Sequence, residues 1–450
     1  MIQIKDQLQP ADLAGKIKNL WEASAPKILS IDKDDVPGRA TPVFTVKGKY
    51  TARGWTEWTQ GFVYGSAIYQ FDATGDEKFL ALGREKTRTR MAHHVTHIGV
   101  HDHGFNNVST YGNLRRLMLE GRIPANPAEM DFYEMALKCS GAVQAARWSP
   151  IAGGGYIYSF NGPQSLFADT IRSLRALALS HQLGHVLMGE RDLKISLLER
   201  LIQHARATSD YAIFYGEGRD AYDIRGRTAH ESLFNVNDGN YRCPNSQQGY
   251  SPFTTWTRGL AWILCGYPEQ LEWLATLSDA DLEPFGGRKQ VETEFLKTAQ
   301  AVADFFIEQT PTDGIPYWDT GAPLLHKLGN YLDRPAEPFN DFEPVDSTAA
   351  AISAQGLLRL GRYLKNERYW QAGLTVANTL LSEPYLSTDP NHQGLLLHSV
   401  YHRPNGWDYI PPGRKVPCGE SSMWGDYHLR ELALYIQRVA ENAPYLTFFA

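Results

Sequence analysis

The stretch PVDSTAAAISAQGLLRLGRYLKNERYWQAGLTVANTLLS, residues 344–382, reads as two helices laid back to back. In 347–364 and again in 369–382, apolar residues recur at three- and four-residue steps, the repeat that draws one stripe along a helix. A short polar link between them makes an antiparallel helical hairpin. Asp346, just ahead of the first helix, has the form of an N-cap whose carboxylate accepts a backbone N–H bond.

The same repeat extends outward in both directions. It recurs in 13–23, 57–71, 129–146, 165–183, 195–214, 254–271, 291–309 and 424–442, which makes at least ten helices over the whole length. Strand signals are few, and short β pairs are expected only at GGGYIYSF (153–160) and in the aromatic loops. No Ser/Gly-rich, low-complexity or single-charge run separates the helices, so residues 1–450 read as one domain. Four helices open on similar polar or aromatic loops, in FADTIRSL, PFTTWTRGLAW, PVDSTAAA and ESSMWGDY, roughly eighty to ninety residues apart. That spacing suggests helical hairpins closing into a ring whose loops converge on a central cavity.

Composition limits the partners. With 450 residues and 43% hydrophobic content the chain can bury a large core. Its formal charge of −6 gives no basic excess for a phosphate backbone, so nucleic acid is excluded as a partner. Cys139, Cys243, Cys265 and Cys418 form no paired zinc or redox motif and read as reduced thiols. The first residues lack the basic-then-apolar order of a signal peptide, and no run reaches the length of a membrane span. The expectation is a soluble cytoplasmic enzyme of unspecified oligomeric state. Asn107-Val108-Ser109 fits a glycosylation sequon, read here as coincidence. The 11 Trp, 23 Tyr and 19 Phe, many in polar loops, are rings that either pack in the core or stack on sugar faces.

Three clusters could carry chemistry. HHVTHIGVHDHGF (93–105) holds five histidines and an aspartate. Read as a helix it puts His93, His97 and His101 on one face, but a zinc helix also needs a glutamate base and a third ligand, and neither appears. Gly99 and Gly104 suggest that the helix ends near 99, leaving His101 to Phe105 in a loop that faces a cavity and His93, His94 and His97 solvated or capping. Asp169 in FADTIRSL, like Asp346 and Asp426, has the form of an N-cap; it gains interest if it shares a site with Asp102, because two adjacent carboxylates cannot both ionise freely. The third cluster brings His230, Gln248, Trp256, Arg258 and Trp262 together. It reads either as a sugar-acid site, with Arg for a carboxylate and Trp for stacking, or as a polar loop leading into a buried aromatic helix.

Taken in order, WTQGF (58–62), HDHGF (101–105), FADTIRSL (167–174), QGY with TWTRGLAW (248–262), DSTAAAISAQGLLRL (346–360), LLLHSVYHRPNG (395–406) and MWGDYHLREL (423–432) resemble glycoside hydrolase family 88, the unsaturated glucuronyl hydrolases. The resemblance implies an all-α (α/α)6 barrel. It implies hydration, not attack at the anomeric carbon: a carboxylic acid protonates carbon 4 of a 4,5-unsaturated uronic acid, water adds at carbon 5, and the hemiketal opens to release the aglycone. On this resemblance Asp169 matches the acid/base and Asp102 the carboxylate that tunes it and holds the sugar. His101, His230, Gln248, Trp256 and Arg258 match substrate-binding positions, with Trp58 and Trp262 as walls. The implied partner is an unsaturated uronate-terminated oligosaccharide, with no metal and no cofactor. Two departures are Leu260, where relatives commonly carry Gln, and His103, often apolar, which is expected to alter the pocket.

Three alternatives remain at this stage. An unsaturated rhamnogalacturonyl hydrolase of family 105 shares barrel and reaction; a sugar epimerase would need paired histidine bases such as His230 and His398; a carbohydrate-binding protein without chemistry would not need both Asp102 and Asp169.

Overall fold

The structure, a computed structural model, describes residues 1–35, 40–54 and 57–449; residues 36–39, 55–56 and 450 lie outside the described set. Its helices follow one another in outer-inner pairs. Helix α1 (Ala14–Asp34) leads to α2 (Gln60–Thr74). Next, α3 (Glu77–Arg90) and the single turn α4 (Ala92–Val95) lead to α5 (His103–Asn107), which continues through a π-helical turn at Val108–Gly112 into α6 (Asn113–Leu119). Then α7 (Pro127–Ala146) leads to α8 (Thr170–Ser173) and α9 (Arg175–Gln182), and α10 (Leu197–Ala212) to α11 (Thr257–Leu274). Finally α12 (Asp279–Leu282) and α13 (Arg288–Glu308) lead to α14 (Ser347–Leu364), and α15 (Glu367–Leu380) to α16 (Met423–Ala440).

The inner members close a ring: α2 packs on α5, α5 on α8 and α9, α8 on α11, α11 on α14, α14 on α16, and α16 back on α2. Helices α7, α13 and α15 pack outside on α9, α11 and α14. This is the α/α toroid that the hairpin pattern predicts. The inner helices are buried on all sides, as α11 and α16 show along nearly their full length, while an outer helix such as α10 buries one stripe including Leu198, Leu201, Ile202 and Ala205.

Strands are short and sit in the loops: β1 (Pro42–Val46) with β2 (Lys49–Ala52), β3 (Trp148–Ile151) with β4 (Gly154–Ile157), and β5 (Ser165–Phe167), β6 (Leu187–Met188), β7 (Lys194–Ile195), β8 (Glu231–Phe234) and β9 (Tyr241–Asn245). The β3–β4 hairpin overlaps the expected pair at 153–160, and β5–β8–β9 form one three-stranded antiparallel sheet. Three expectations need correction. Residues 165–167, read as helix, are strand β5, paired with β8. Helix α3 and the α5–α6 segment were not read as helices from the sequence, although Phe79 and Leu80, and then Phe105, Val108, Tyr111, Leu114 and Leu117 at three-residue steps, are buried. Besides those apolar residues, α5–α6 buries Asn106, Asn107, Ser109, Thr110, Asn113, Arg115 and Arg116, so burial there extends well beyond the apolar stripe.

Two devices hold the inner ring. At the crossings, glycine lets backbones touch: a Cβ on Gly104 would lie 2.2 Å from Ser173 O, and one on Gly356 2.3 Å from Leu264 O. Along the axis runs a fully buried ionic network. Arg172 Nε donates to Glu269 (3.1 Å) and Nη2 to Glu431 (2.7 Å), while Arg175 and Arg359 lie 3.6 and 3.9 Å from Glu269. These residues come from α8, α9, α11, α14 and α16, so charge pairing ties five inner elements together.

Candidate active site

The first turns of the inner helices point into one cavity of about 600 Å³. Trp58 arrives just ahead of α2, Asp102 at the N-cap position of α5, Asp169 at that of α8, Trp256 at that of α11, and Trp424 in the first turn of α16. Asp346, at the start of α14, accepts from Thr348 N (3.1 Å) as an N-cap should, and its other oxygen receives Arg258 Nη1 (2.9 Å). Asp426 does not cap. Ser422 caps α16, and the buried Asp426 accepts Leu395 N, Leu396 N and Tyr50 Oη instead. A larger hollow of about 800 Å³ between α1, α2 and α16 has no histidine in its lining.

Asp102 and Asp169 make no capping bond with their side chains, which frees both carboxylates for the cavity wall. His101 joins them. Its Nε2 donates to Asp169 Oδ1 at 3.1 Å and lies 3.7 Å from Asp102 Oδ1, with the ring 1% exposed. The ring stacks on Phe160 (5.9 Å, 21°) and meets the edge of Phe167. Its carbonyl is fixed by Ser173 Oγ (2.6 Å) and Gln144 Nε2 (2.8 Å), so α7 and α8 set where the imidazole stands. His230 Nε2 lies 3.9 Å from Asp169 Oδ2, beyond hydrogen-bond length, with its ring between Phe167 and Trp256.

The electrostatics reverse one expectation. As the acid that the resemblance implies, Asp169 would be the carboxyl of the pair to hold its proton. Burial does push it up, but the charge and hydrogen bond of His101, followed by His230, outweigh burial and hold Asp169 well below the usual carboxylate range. The carboxyl that is raised is Asp102, by burial and by Asp169, against His101 and Arg147. His101 is raised in turn: burial opposes its charge, and the two carboxylates prevail. The free site therefore keeps one proton between His101 and Asp169, drawn toward the imidazole.

Arg258, expected to meet a sugar carboxylate, is largely occupied by the protein. Besides Asp346 it donates to the carbonyls of Val400 and Tyr401 (2.8 Å from Nη2) and to Gln248 Oε1 (3.3 Å), over the face of Trp256. Its effect is to hold Gln248 at the wall. Trp58 stacks on Trp424 (5.0 Å, 30°), and the buried Trp262 backs the cavity between Phe105 and His428. All nine sequence-predicted residues thus gather here, with His230 behind the wall and the other eight lining it.

The histidine-rich stretch departs from its reading in detail. Helix α4 ends at Val95, so His93, His97 and His101 share no helix face. Residues 103–107 are helical, and the loop is confined to 96–102. His94 is neither solvated nor capping but buried: its Nε2 and that of His93 both reach Gln60 Oε1 (2.6 and 3.0 Å). His103 turns away from the cavity, donating to His97 O (3.0 Å) and accepting from Ser140 Oγ, and burial lowers its pKa to about 4. Leu260 is core, also off the lining. Asn107 of the sequon is buried against His94 O and Ser140. Among the described residues no group of three or more His, Cys, Asp or Glu is placed to hold a metal ion. His398 packs on Phe339 and Tyr385, outside this cavity, so it makes no pair with His230.

Several lining residues were not singled out from sequence: Arg53, Glu57, Phe160, Tyr401, His402 and Trp407. Tyr401 and His402 fall within the LLLHSVYHRPNG motif, while Arg53, Phe160 and Trp407 are basic or aromatic residues in polar loops, which periodicity does not register.

Comparison with known proteins gives the following. No family model matches the chain. An unsaturated glucuronyl hydrolase of Formosa agariphila is 25% identical over 383 residues, 83% of this chain and 78% of the relative. That of Bacillus sp. strain GL1 is 25% identical over 410 residues, 87% and 89% of the two chains. The crystal structure of the Bacillus sp. GL1 enzyme, described as responsible for glycosaminoglycan degradation, superposes with a TM-score of 0.70 at 21% identity, covering 95% of this chain and 99% of that one. Relatives bearing this enzyme name, and solved structures of the same fold, span most of the chain.

Proposed function

We propose that the chain is an unsaturated glucuronyl hydrolase: a glycosidase that removes the 4,5-unsaturated uronic acid from the non-reducing end of lyase-generated oligosaccharides. The observation that carries this reading is the pair of buried carboxylates, Asp102 and Asp169, that meet over one imidazole in the wall of an aromatic-lined cavity. The relatives' names supply the reaction class.

The mechanism follows from the shared proton. In the open site His101 and Asp169 stand as an ion pair. A sugar that fills the cavity expels the water that screens those charges, and low dielectric favours the neutral arrangement, imidazole and carboxylic acid. Asp169 then gives its proton to carbon 4 of the enol ether. Positive charge develops at carbon 5 and the ring oxygen, and water adds at carbon 5 as Asp169, now a carboxylate, takes the water's proton. The hemiketal opens and the aglycone leaves. Asp102, with its raised pKa, stands beside the reacting ring as the carboxyl that tunes Asp169 and bonds sugar hydroxyls. Gln248 orients uronate and water, His230 backs Asp169 from behind the wall, Arg258 positions Gln248, and Trp58, Trp256 and Trp262 are the walls. No metal or cofactor enters these steps.

Residues 1–450 form one catalytic domain in this reading, acting on a small oligosaccharide and not on nucleic acid. No helix among the described residues is long and apolar enough to cross a membrane. Cys139, Cys243, Cys265 and Cys418 are all free thiols, which suits the cytoplasm.

The test is loss of the double bond's ultraviolet absorbance with a panel of lyase-generated unsaturated disaccharides. Wild type should discharge it, and Asp169→Asn should be slower by about 10²- to 10⁴-fold while still binding the sugar. A wild-type protein inert toward a broad panel sinks the reading.

A further inference from the structure

We infer that Arg53 is the residue that selects the aglycone, and that the aglycone it selects carries an anionic substituent, a sulfate ester or a carboxylate. The inference rests on the function proposed above and concerns the mouth of the same cavity. Among the described residues two arginines line that cavity, Arg53 and Arg258. Arg258 donates to one carboxylate, two carbonyls and Gln248, all within the protein. Arg53 is exposed and, among the described residues, no carboxylate lies in ion-pair range of it.

Its guanidinium is nevertheless held in place. It lies 5.2 Å from the ring centre of Tyr401 and 4.8 Å from that of Trp407. Both supports are fixed. Tyr401 N donates to Asp408 (2.5 Å), Tyr401 stacks on Phe44 (5.7 Å, 22°), and Trp407 N donates to His402 O. On its own side Arg53 continues the β1–β2 hairpin through Arg53 N to Thr41 O (3.1 Å). A guanidinium stacked on rings keeps its edge donors free and forgoes little rotamer entropy when it binds, which suits bidentate capture of a planar or tetrahedral oxyanion.

The surrounding charge fits a ligand, not a structural pair. Glu57, the carboxylate at this end, turns onto Gly54 N (3.0 Å); the charge of Arg53 acts on it against burial, but the two form no ion pair. His402 is held neutral near pH 7, its pKa lowered by burial to about 4. Among the described lining residues Arg53 is thus the one formal positive charge that the protein has not already hydrogen-bonded to a carboxylate. A neutral aglycone would leave it unused.

The experiment uses three unsaturated disaccharides that share the uronate and differ in the aglycone: a neutral amino sugar, the same sugar with a sulfate ester, and a uronic acid. Initial rates by absorbance loss give kcat/KM for wild type, Arg53→Gln and Arg53→Lys. Wild type should prefer at least one anionic aglycone over the neutral one by about tenfold, mainly through KM. Arg53→Gln should collapse that ratio toward one, with Arg53→Lys in between; the arm that collapses distinguishes sulfate from carboxylate. Equal preference in wild type, or a ratio unmoved in Arg53→Gln, overturns the inference while leaving the hydrolase reading intact. If no substrate is hydrated, the hydrolase reading fails. Calorimetric binding of the same three sugars to wild type and to Arg53→Gln then decides the matter by the same ratio.

Discussion

His101 decides how the two carboxylates titrate, so its removal has a signed consequence. In His101→Gln the principal cation that depresses Asp169 is gone, while burial, Asp102 and the weaker pull of His230 remain, so the proton stays on the carboxyl and is no longer shared with an imidazole. The alkaline limb of kcat/KM, which marks loss of the proton shared by His101 and Asp169, should move to lower pH, with activity at neutral pH down by about 10²- to 10⁴-fold. A pH–rate profile for the two proteins reads this directly, and an unmoved alkaline limb argues against the shared proton. Stability follows the same groups with opposite signs. The raised His101 contributes stability that is fully present below its unfolded pKa and is lost as pH rises through its folded value. The depressed Asp169 contributes stability present above its unfolded pKa and lost as pH falls through its folded value. Unfolding midpoints of wild type and Asp169→Asn should therefore converge in acid.

Between elements, the α5–α8 crossing brings the carboxylates together, and Gly104 makes the crossing possible. Gly104 N donates to Ser173 Oγ (3.0 Å), and that hydroxyl donates to His101 O, so one contact sets both backbone spacing and imidazole position. Gly104→Ala places a methyl against Ser173 backbone that cannot give way. It should cost about 1–3 kcal/mol of stability and reduce kcat/KM besides. Gly15→Ala, in the first turns of α1 with open space at its Cβ, is the control and should be neutral or slightly stabilising. Chemical denaturation with parallel activity assays separates the two, and a Gly104→Ala protein with wild-type activity would remove the crossing from the catalytic argument.

For the whole molecule, the inner ring is held by charge as much as by apolar packing. Glu431 is fully buried between Arg172 and Arg175, 2.7 and 3.7 Å away; burial would raise its pKa, and the two arginines hold it down instead. Glu431→Gln leaves buried cations under-compensated, which typically costs about 3–5 kcal/mol. The loss should appear as a lowered unfolding midpoint near neutral pH and shrink toward acid, where wild type protonates the same group. A midpoint within error of wild type would show that the network is tuned for geometry and not for stability.

The helices with a continuous apolar stripe, α7, α13, α14, α15 and α16 among them, were legible from spacing, because burial of a stripe constrains the sequence at every turn. The nine candidate site residues were named through the family resemblance of their motifs, and the fold gathers them at one cavity. What the sequence reading missed mixes apolar and polar burial: beside Phe105, Leu114 and Leu117, α5–α6 hides amides, hydroxyls and arginines, and His94 and His103 are core residues in a stretch that reads as a surface or metal cluster. The sequence by itself determined a ring of helical hairpins and the residue types at its open end. Only the tertiary structure decided which carboxyl is raised, that Arg258 is already bonded within the protein, and that Arg53 is not. Those properties depend on distances between groups far apart in the chain, and no local pattern encodes such distances.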